Sequence, residues 1–266
     1  MTKKGNPAKR KPPGQIPDAQ TLDEYAREMA TARKIQQSLL PSVPPDVQGV
    51  RMACCSIPAH VVGGDYYDFF RWDDSSLDLV IADVSGHNLG SALIMVETRS
   101  VLRAHAYRSG NARDALAVLN ELLYDDLSRT ELFISMFYAK FSAETRFLTY
   151  ANGGHNPPLL LRCGQPGYIG LDADGMVLGV LKGVEFEEKG LLLREGDILS
   201  FYTDGITESQ NAAGELFGTE RLYQAIYQHR GAPPEAIIEG VLKSVHDFSG
   251  EKALRDDVSL VVLKID

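Results

Sequence analysis

Five aspartates occupy positions where side chains could do chemistry. Asp65 sits in VVGGDYYDFF, Asp83 closes the apolar run LDLVIAD, and Asp204 closes DILSFYTDG. Asp256 and Asp257 open RDDVSLVV. Each lies at the end of a strand-like segment. Apolar strands hold their ends rigidly, and the neighbouring Gly63, Gly64, Gly86 and Gly205 let backbone approach a ligand closely. A carboxylate at the end of a buried strand is costly unless it is paired or metal-bound. Arg255 is the one basic residue that adjoins any of them. Shared Mg²⁺ or Mn²⁺ ions would resolve the conflict, since hard cations take carboxylate, carbonyl and water oxygens. Two such ions about 3.5–4 Å apart can activate a water and clamp a phosphoryl oxygen. Taken singly, each motif has a plainer explanation: Asp204-Gly205 as a turn, Gly63-Gly64 as a bulge, Asp256-Asp257 as a cap. Spacing alone does not show that the aspartates converge.

Other chemistries lack their signatures. The sequence has no HExxH or HxxxH, no GxSxG and no GxxxxGK[ST]. Its three cysteines, Cys54, Cys55 and Cys163, form no CxxC pair, which disfavours a zinc site or a disulfide framework and suits a reducing cytoplasm. A net charge of −9 argues against a nucleic-acid surface. No apolar run approaches the roughly 18 residues of a membrane span, and no apolar segment follows the basic N-terminus to make a signal peptide.

The elements that must position the aspartates follow from periodicity. Residues 1–20 combine Lys3, Lys4, Lys9, Arg10 and Lys11 with prolines and read as a disordered basic leader. Residues 21–41 form a linker helix with Thr21 and Glu24 as a capping box and Pro41 as its stop. Its seam of Leu22, Tyr25, Met29, Ala32, Gln36 and Leu39 is heptad-like, with Gln36 as a polar interruption. The helix lies on its own domain, makes a homodimer, or receives an upstream activator. No sensor module is expected ahead of it. Residues 42–266 form one domain. Strands are expected at 50–57, 66–72, 77–84, 132–141, 147–151, 158–162, 184–193, 197–202 and 258–265, and helices at 89–107, 112–127, 221–229 and 234–248. Strands grouped apart from helices argue α+β with two packed sheets.

Six segments in order, ARKIQQSLLP, GGDYYDFF, IADVSGHNLGSALIM, YANGGHNPPLLL, FYTDGITES and RDDVSLVVL, resemble the SpoIIE/RsbU branch of the PP2C-like (PPM) protein phosphatases. The resemblance implies a four-layer α/β/β/α sandwich with two mainly antiparallel sheets flanked by helix pairs. It implies two Mn²⁺ or Mg²⁺ ions held by Asp65, Asp83, the Val84 carbonyl, Asp204 and Asp256. Asp65 and Asp83 would stand at the catalytic bimetal centre, with Asp257, Gly205 and His87 around it. The implied substrate is phosphoserine or phosphothreonine on an anti-anti-sigma (STAS-type) protein, as in partner-switching control of a sigma factor.

Two positions depart from the branch. Asn88 replaces a common glycine, and Asn is expected to keep a left-handed backbone there. Ser85 stands where eukaryotic relatives carry a histidine, so His87 reads as structural. His155 reads as part of a hydrogen-bonded turn, and Glu208 as an outlying acid. Two other readings use the same residues: a catalytically inactive binding module of this fold, and a two-metal nuclease or phosphodiesterase, which the acidic charge disfavours.

Overall fold

The computed structural model describes residues 18–105, 110–250 and 254–266. Helix α1 (Ala19–Leu39) is followed by strands β1 (Val50–Ile57), β2 (Asp65–Arg71) and β3 (Ser76–Val84). Helices α2 (Leu89–His105) and α3 (Ala112–Thr130) come next, then β4 (Ile134–Ser142), β5 (Phe147–Gly153), β6 (Leu159–Leu161) and β7 (Ile169–Gly170). The chain continues through β8 (Lys189–Leu192), β9 (Ile198–Tyr202), α4 (Asp204–Thr207), α5 (Gly218–Gln228), α6 (Pro234–Ser249) and β10 (Val258–Ile265).

Among the described residues, ten strands make two antiparallel sheets, β1-β10-β9-β6-β7 and β2-β3-β4-β5-β8. Alternation along the strands assigns the faces. Tyr67, Phe69, Leu79, Ile81 and Phe137 point between the sheets and meet Leu199, Phe201, Val261 and Leu263. Their neighbours Tyr66, Val80, Ala82 and Tyr138 point outward and pack on Met95, Leu102, Leu116 and Leu123 of α2 and α3. On the other side Tyr202, Leu260 and Val262 meet Leu222, Ile226, Ile237 and Val241 of α5 and α6. Three apolar layers therefore separate four structural ones, the α/β/β/α sandwich that the sequence resemblance implies.

Several boundaries differ from expectation. The cap of α1 is Asp18, whose carboxylate accepts from the Thr21 N–H at 2.9 Å, so Thr21 lies inside the helix. Residues 19 and 20 are thus helical, and residues 1–17 of the expected leader lie outside the described residues, as do 106 and 107 at the end of the expected 89–107 helix. The expected strand at 184–193 shrinks to β8, because only Lys189–Leu192 find partners on β5. The two-residue β7 and the short α4 were not anticipated; both are too brief to show a period.

Buried acids outside the strand-end cluster are paired. Asp68, fully buried, receives both Nε and Nη2 of Arg103 at 2.7 Å and the Tyr66 hydroxyl at 2.8 Å. Asp78 receives Lys140 and Tyr138, and Asp197 receives Arg162. Removing one partner strands the other charge. Arg103→Leu is expected to lower unfolding free energy by about 2–3 kcal/mol, less than for a sealed pair because Arg103 is reached by water. Urea denaturation measures it, and a loss below about 0.5 kcal/mol would contradict the assignment.

Candidate active site

The five aspartates meet at one end of the sandwich. Asp65 opens β2 and Asp83 lies in the last pair of residues of β3, and the antiparallel register sets them directly opposite each other. Such cross-strand pairs bring side chains within about 5 Å, so like charges there repel. Asp204 begins α4 just beyond β9, and Asp256 and Asp257 precede β10. Because β9 and β10 pair with Tyr202 opposite Leu260, both loops leave the same end of their sheet.

Hydrogen bonds then lock the two sheets together at that end. The Thr203 hydroxyl donates to Asp65 Oδ2 at 2.8 Å across the sandwich and accepts from the Ser259 N–H at 2.9 Å. Asp257 Oδ1 accepts from the Ala59 N–H and Oδ2 from the Gly64 N–H, both at 2.7 Å. Asp257 thereby anchors the loop that delivers Asp65. The glycines are needed for space. A Cβ on Gly205 would lie 2.1 Å from the Asp257 carbonyl oxygen, and one on Gly64 would lie 2.6 Å from the Val84 carbonyl oxygen.

Charge is the dominant feature. Among the described residues no basic side chain forms an ion pair with Asp65, Asp83, Asp204, Asp256 or Asp257. Arg255 instead donates to the Gln210 side chain. Burial, then Asp83 and Asp257, push Asp65 well above the usual carboxylate range, against the opposing Thr203 hydrogen bond. Burial, then Asp204, Asp256 and Asp257, push Asp83 up to about 8. Burial, then Asp256 and Glu208, push Asp204 up to about 6. Asp257 is raised by burial against its two backbone N–H bonds.

No three His, Cys, Asp or Glu side chains among the described residues already close around one point as a finished ligand cage. The donor set is nevertheless carboxylate and carbonyl oxygen, acidic, and without a basic partner. That chemistry suits a hard divalent cation. Asp65, Asp83, Asp204 and Asp256 with the Val84 carbonyl are the groups that could hold one.

Other expected residues fall around this centre. His87 is exposed and stacks on His60, with 4.9 Å between ring centroids. His155 is buried in a turn that Asn152 closes, with Nδ1 2.8 Å from the Ser135 hydroxyl, and burial lowers its pKa to about 4. Asn88 is not in the left-handed region, contrary to expectation; that conformation belongs to Gly86, at φ 86°. Asn88 instead caps α2, its Oδ1 accepting from the Gly90 N–H at 2.7 Å and the Ser91 N–H at 3.3 Å.

Two residues escaped the sequence reading. Thr203 gave no signal beyond its place before Asp204. Gln36 gave one: it is the polar break in the apolar seam. It is the one buried residue of α1, and its amide pairs both ways with Gly63, Nε2 to the carbonyl at 2.7 Å and Oε1 from the N–H at 3.0 Å. The Arg99 guanidinium adds a 2.8 Å bond to the Leu39 carbonyl, tying α1 to α2.

Comparison with solved structures places this architecture among PP2C domains. The SiaA PP2C domain of Pseudomonas aeruginosa superposes with a TM-score of 0.82 at 19% identity, covering 94% of this chain and 100% of that one. The RsbU and RsbW domains of Rv1364c from Mycobacterium tuberculosis superpose with a TM-score of 0.74 at 24% identity, over 85% of this chain and 63% of that one. The sequence narrows the class. Residues 73–266 match the model of the Stage II sporulation protein E (SpoIIE) family, and the chain belongs to that family. It is a PP2C-like protein phosphatase of the SpoIIE/RsbU type. The phosphoserine phosphatase RsbU of Bacillus subtilis is 28% identical over 244 residues, which cover 91% of this chain and 71% of RsbU. Protein IcfG of Synechocystis is 27% identical, but the match spans only 41% of its length.

The raised aspartates fix a pH dependence. The folded state holds a proton on Asp83 up to about pH 8, whereas an unfolded aspartate loses it near pH 4. The native state therefore binds more protons between these values, and its stability falls as pH rises through that window. Without divalent cations, the melting temperature is expected to drop between pH 5 and pH 8, and Asp83→Asn should flatten the slope. Calorimetry in chelator checks this; an unchanged slope in the variant contradicts it.

Proposed function

We propose that the chain hydrolyses phosphoserine or phosphothreonine on a bacterial regulatory protein, of the STAS-type anti-anti-sigma class, in the cytoplasm. The carrying observation is the set of uncompensated carboxylates that Thr203 and Asp257 hold together across both sheets. The similarity to RsbU, a phosphoserine phosphatase, supports the substrate class. Structural likeness to the RsbU and RsbW domains of Rv1364c supports a partner-switching setting. RsbX, a structural neighbour with a TM-score of 0.60, is described in complex with magnesium, which supports Mg²⁺ or Mn²⁺ here. Among the described residues no helix is long and apolar enough to cross a membrane.

In this reading Asp65, Asp83, Asp204, Asp256 and the Val84 carbonyl hold two divalent ions. When bound, such ions lower the pKa of water and offset the charge of the phosphoryl oxygens. The protein contributes placement. Opposed strands fix Asp65 against Asp83, the Thr203 hydroxyl orients one oxygen of Asp65, and Asp257 holds the Gly63-Gly64 loop. Asp83 lies directly before the turn into α2, so a shift of α2 and α3 reaches the ligands. The exposed seam of α1, with Leu22 and Tyr25 more than half exposed, would receive an activator or a second copy of the chain. Gln36 passes that movement to Gly63.

Release of phosphate from a phosphorylated STAS protein and from p-nitrophenyl phosphate is expected with Mn²⁺ and not with chelator. Asp83→Asn should lower turnover at least about a hundredfold while the protein stays folded. Turnover within tenfold of wild type would refute the site, and no turnover by the wild type would favour an inactive binding module. Gln36→Ala should leave the fold intact but lower turnover roughly tenfold by freeing the Gly63 loop. A matched rise in the manganese concentration needed for half-maximal activity is the specific sign.

A further inference from the structure

A cavity of about 420 Å³ opens at the opposite end of the same sheet. Ile198, at the start of β9, lies between Leu161 of β6 and Lys264 of β10. Tyr202, beside the aspartates, is four residues along β9, about 13 Å of strand away. Leu161 and Ile198 provide apolar wall, and Tyr227 and Arg230 close the side from the end of α5.

The charge balance of this cavity is unlike the rest of an acidic protein. Arg162 is spent on Asp197, at 2.5 Å, and both Asp197 oxygens also take backbone N–H groups, of Cys163 and Arg194. Asp266 is bound by Arg51. Two cations remain without a carboxylate partner among the described residues, Lys264 and Arg230. The Lys264 ammonium donates to the carbonyls of Arg230 and Ala232, at 2.7 and 3.0 Å, which leaves one of its three N–H groups. The Arg230 guanidinium stacks 3.9 Å over the Tyr227 ring and gives one bond to the Tyr227 carbonyl. Its remaining donors are held in a fixed plane. Burial, then Arg51, lowers the Lys264 pKa against the opposing pull of Asp266, whose carboxylate is bound to Arg51 rather than to Lys264.

We propose that this cavity binds a small organic anion, its charged head on Lys264 and Arg230 and its apolar body against Leu161, Ile198 and Tyr227. Its volume falls within the usual range for small-molecule pockets. It offers no free carboxylate, and so neither a cation site nor a base; it is a binding site and not a second catalytic one. The proposal stands apart from the phosphatase reading, since it shares no residue with the aspartate centre.

The probe is 1-anilinonaphthalene-8-sulfonate, with its uncharged parent N-phenyl-1-naphthylamine and inorganic phosphate as comparisons, titrated into the full chain. Saturable binding of one sulfonate per chain is expected, at least fivefold tighter than the uncharged parent and tighter than phosphate. Arg230→Gln should weaken it at least fivefold with an unchanged melting temperature and unchanged p-nitrophenyl phosphate turnover. Cys163, exposed at the cavity rim, should react more slowly with iodoacetamide when the sulfonate is bound, as read by mass spectrometry. Equal affinity for the uncharged parent, no effect of Arg230→Gln, or an unprotected Cys163 would each overturn the proposal.

Discussion

Repulsion among acidic side chains that no base offsets is the constraint around which the rest is arranged. Asp65 and Asp83 face each other across a strand pair, with Asp204 and Asp256 nearby from the second sheet. Left to itself, such a cluster would spread. It is held by groups that carry no positive charge: the Thr203 hydroxyl and the backbone N–H groups of Ala59 and Gly64. Neutral donors fix positions without cancelling charge, so the repulsion persists in the folded protein and shows as the raised pKa values of Asp65 and Asp83.

The same contrast organises the interior. Asp68, Asp78 and Asp197 are as buried as any acid among the described residues, and each has Arg or Lys against it. These pairs brace sheets and helices away from the strand-end aspartates. A buried aspartate is thus a structural brace where a base accompanies it, or where backbone N–H groups take both its oxygens as in Asp257, and a ligand candidate where neither holds. The distinction rests on the partner, not on burial.

The linker helix joins this arrangement through one amide. Most of α1 is exposed, yet Gln36 is buried against the backbone of Gly63, two residues before Asp65. The residue that breaks the apolar seam grips the loop under Asp65. The Asn88 cap has a similar logic: it begins α2 just after the Val84 carbonyl, fixing the turn that follows Asp83.

Much of this was legible in the sequence. Near-continuous apolar runs such as 77–84 marked strands that pack on both faces. Aspartates at strand ends beside glycine marked the candidate site. Short β7 and α4 were not legible, because two to four residues carry no period. What local sequence did not show is which acids have a base against them, since the partner lies far along the chain: Arg103 for Asp68, Lys140 for Asp78. Composition and periodicity fixed which segments are strands and which face of each is apolar. Only tertiary structure decided which strand ends meet, because antiparallel register sets Asp65 opposite Asp83 and the Thr203 and Asp257 bridges join residues that are more than a hundred positions apart.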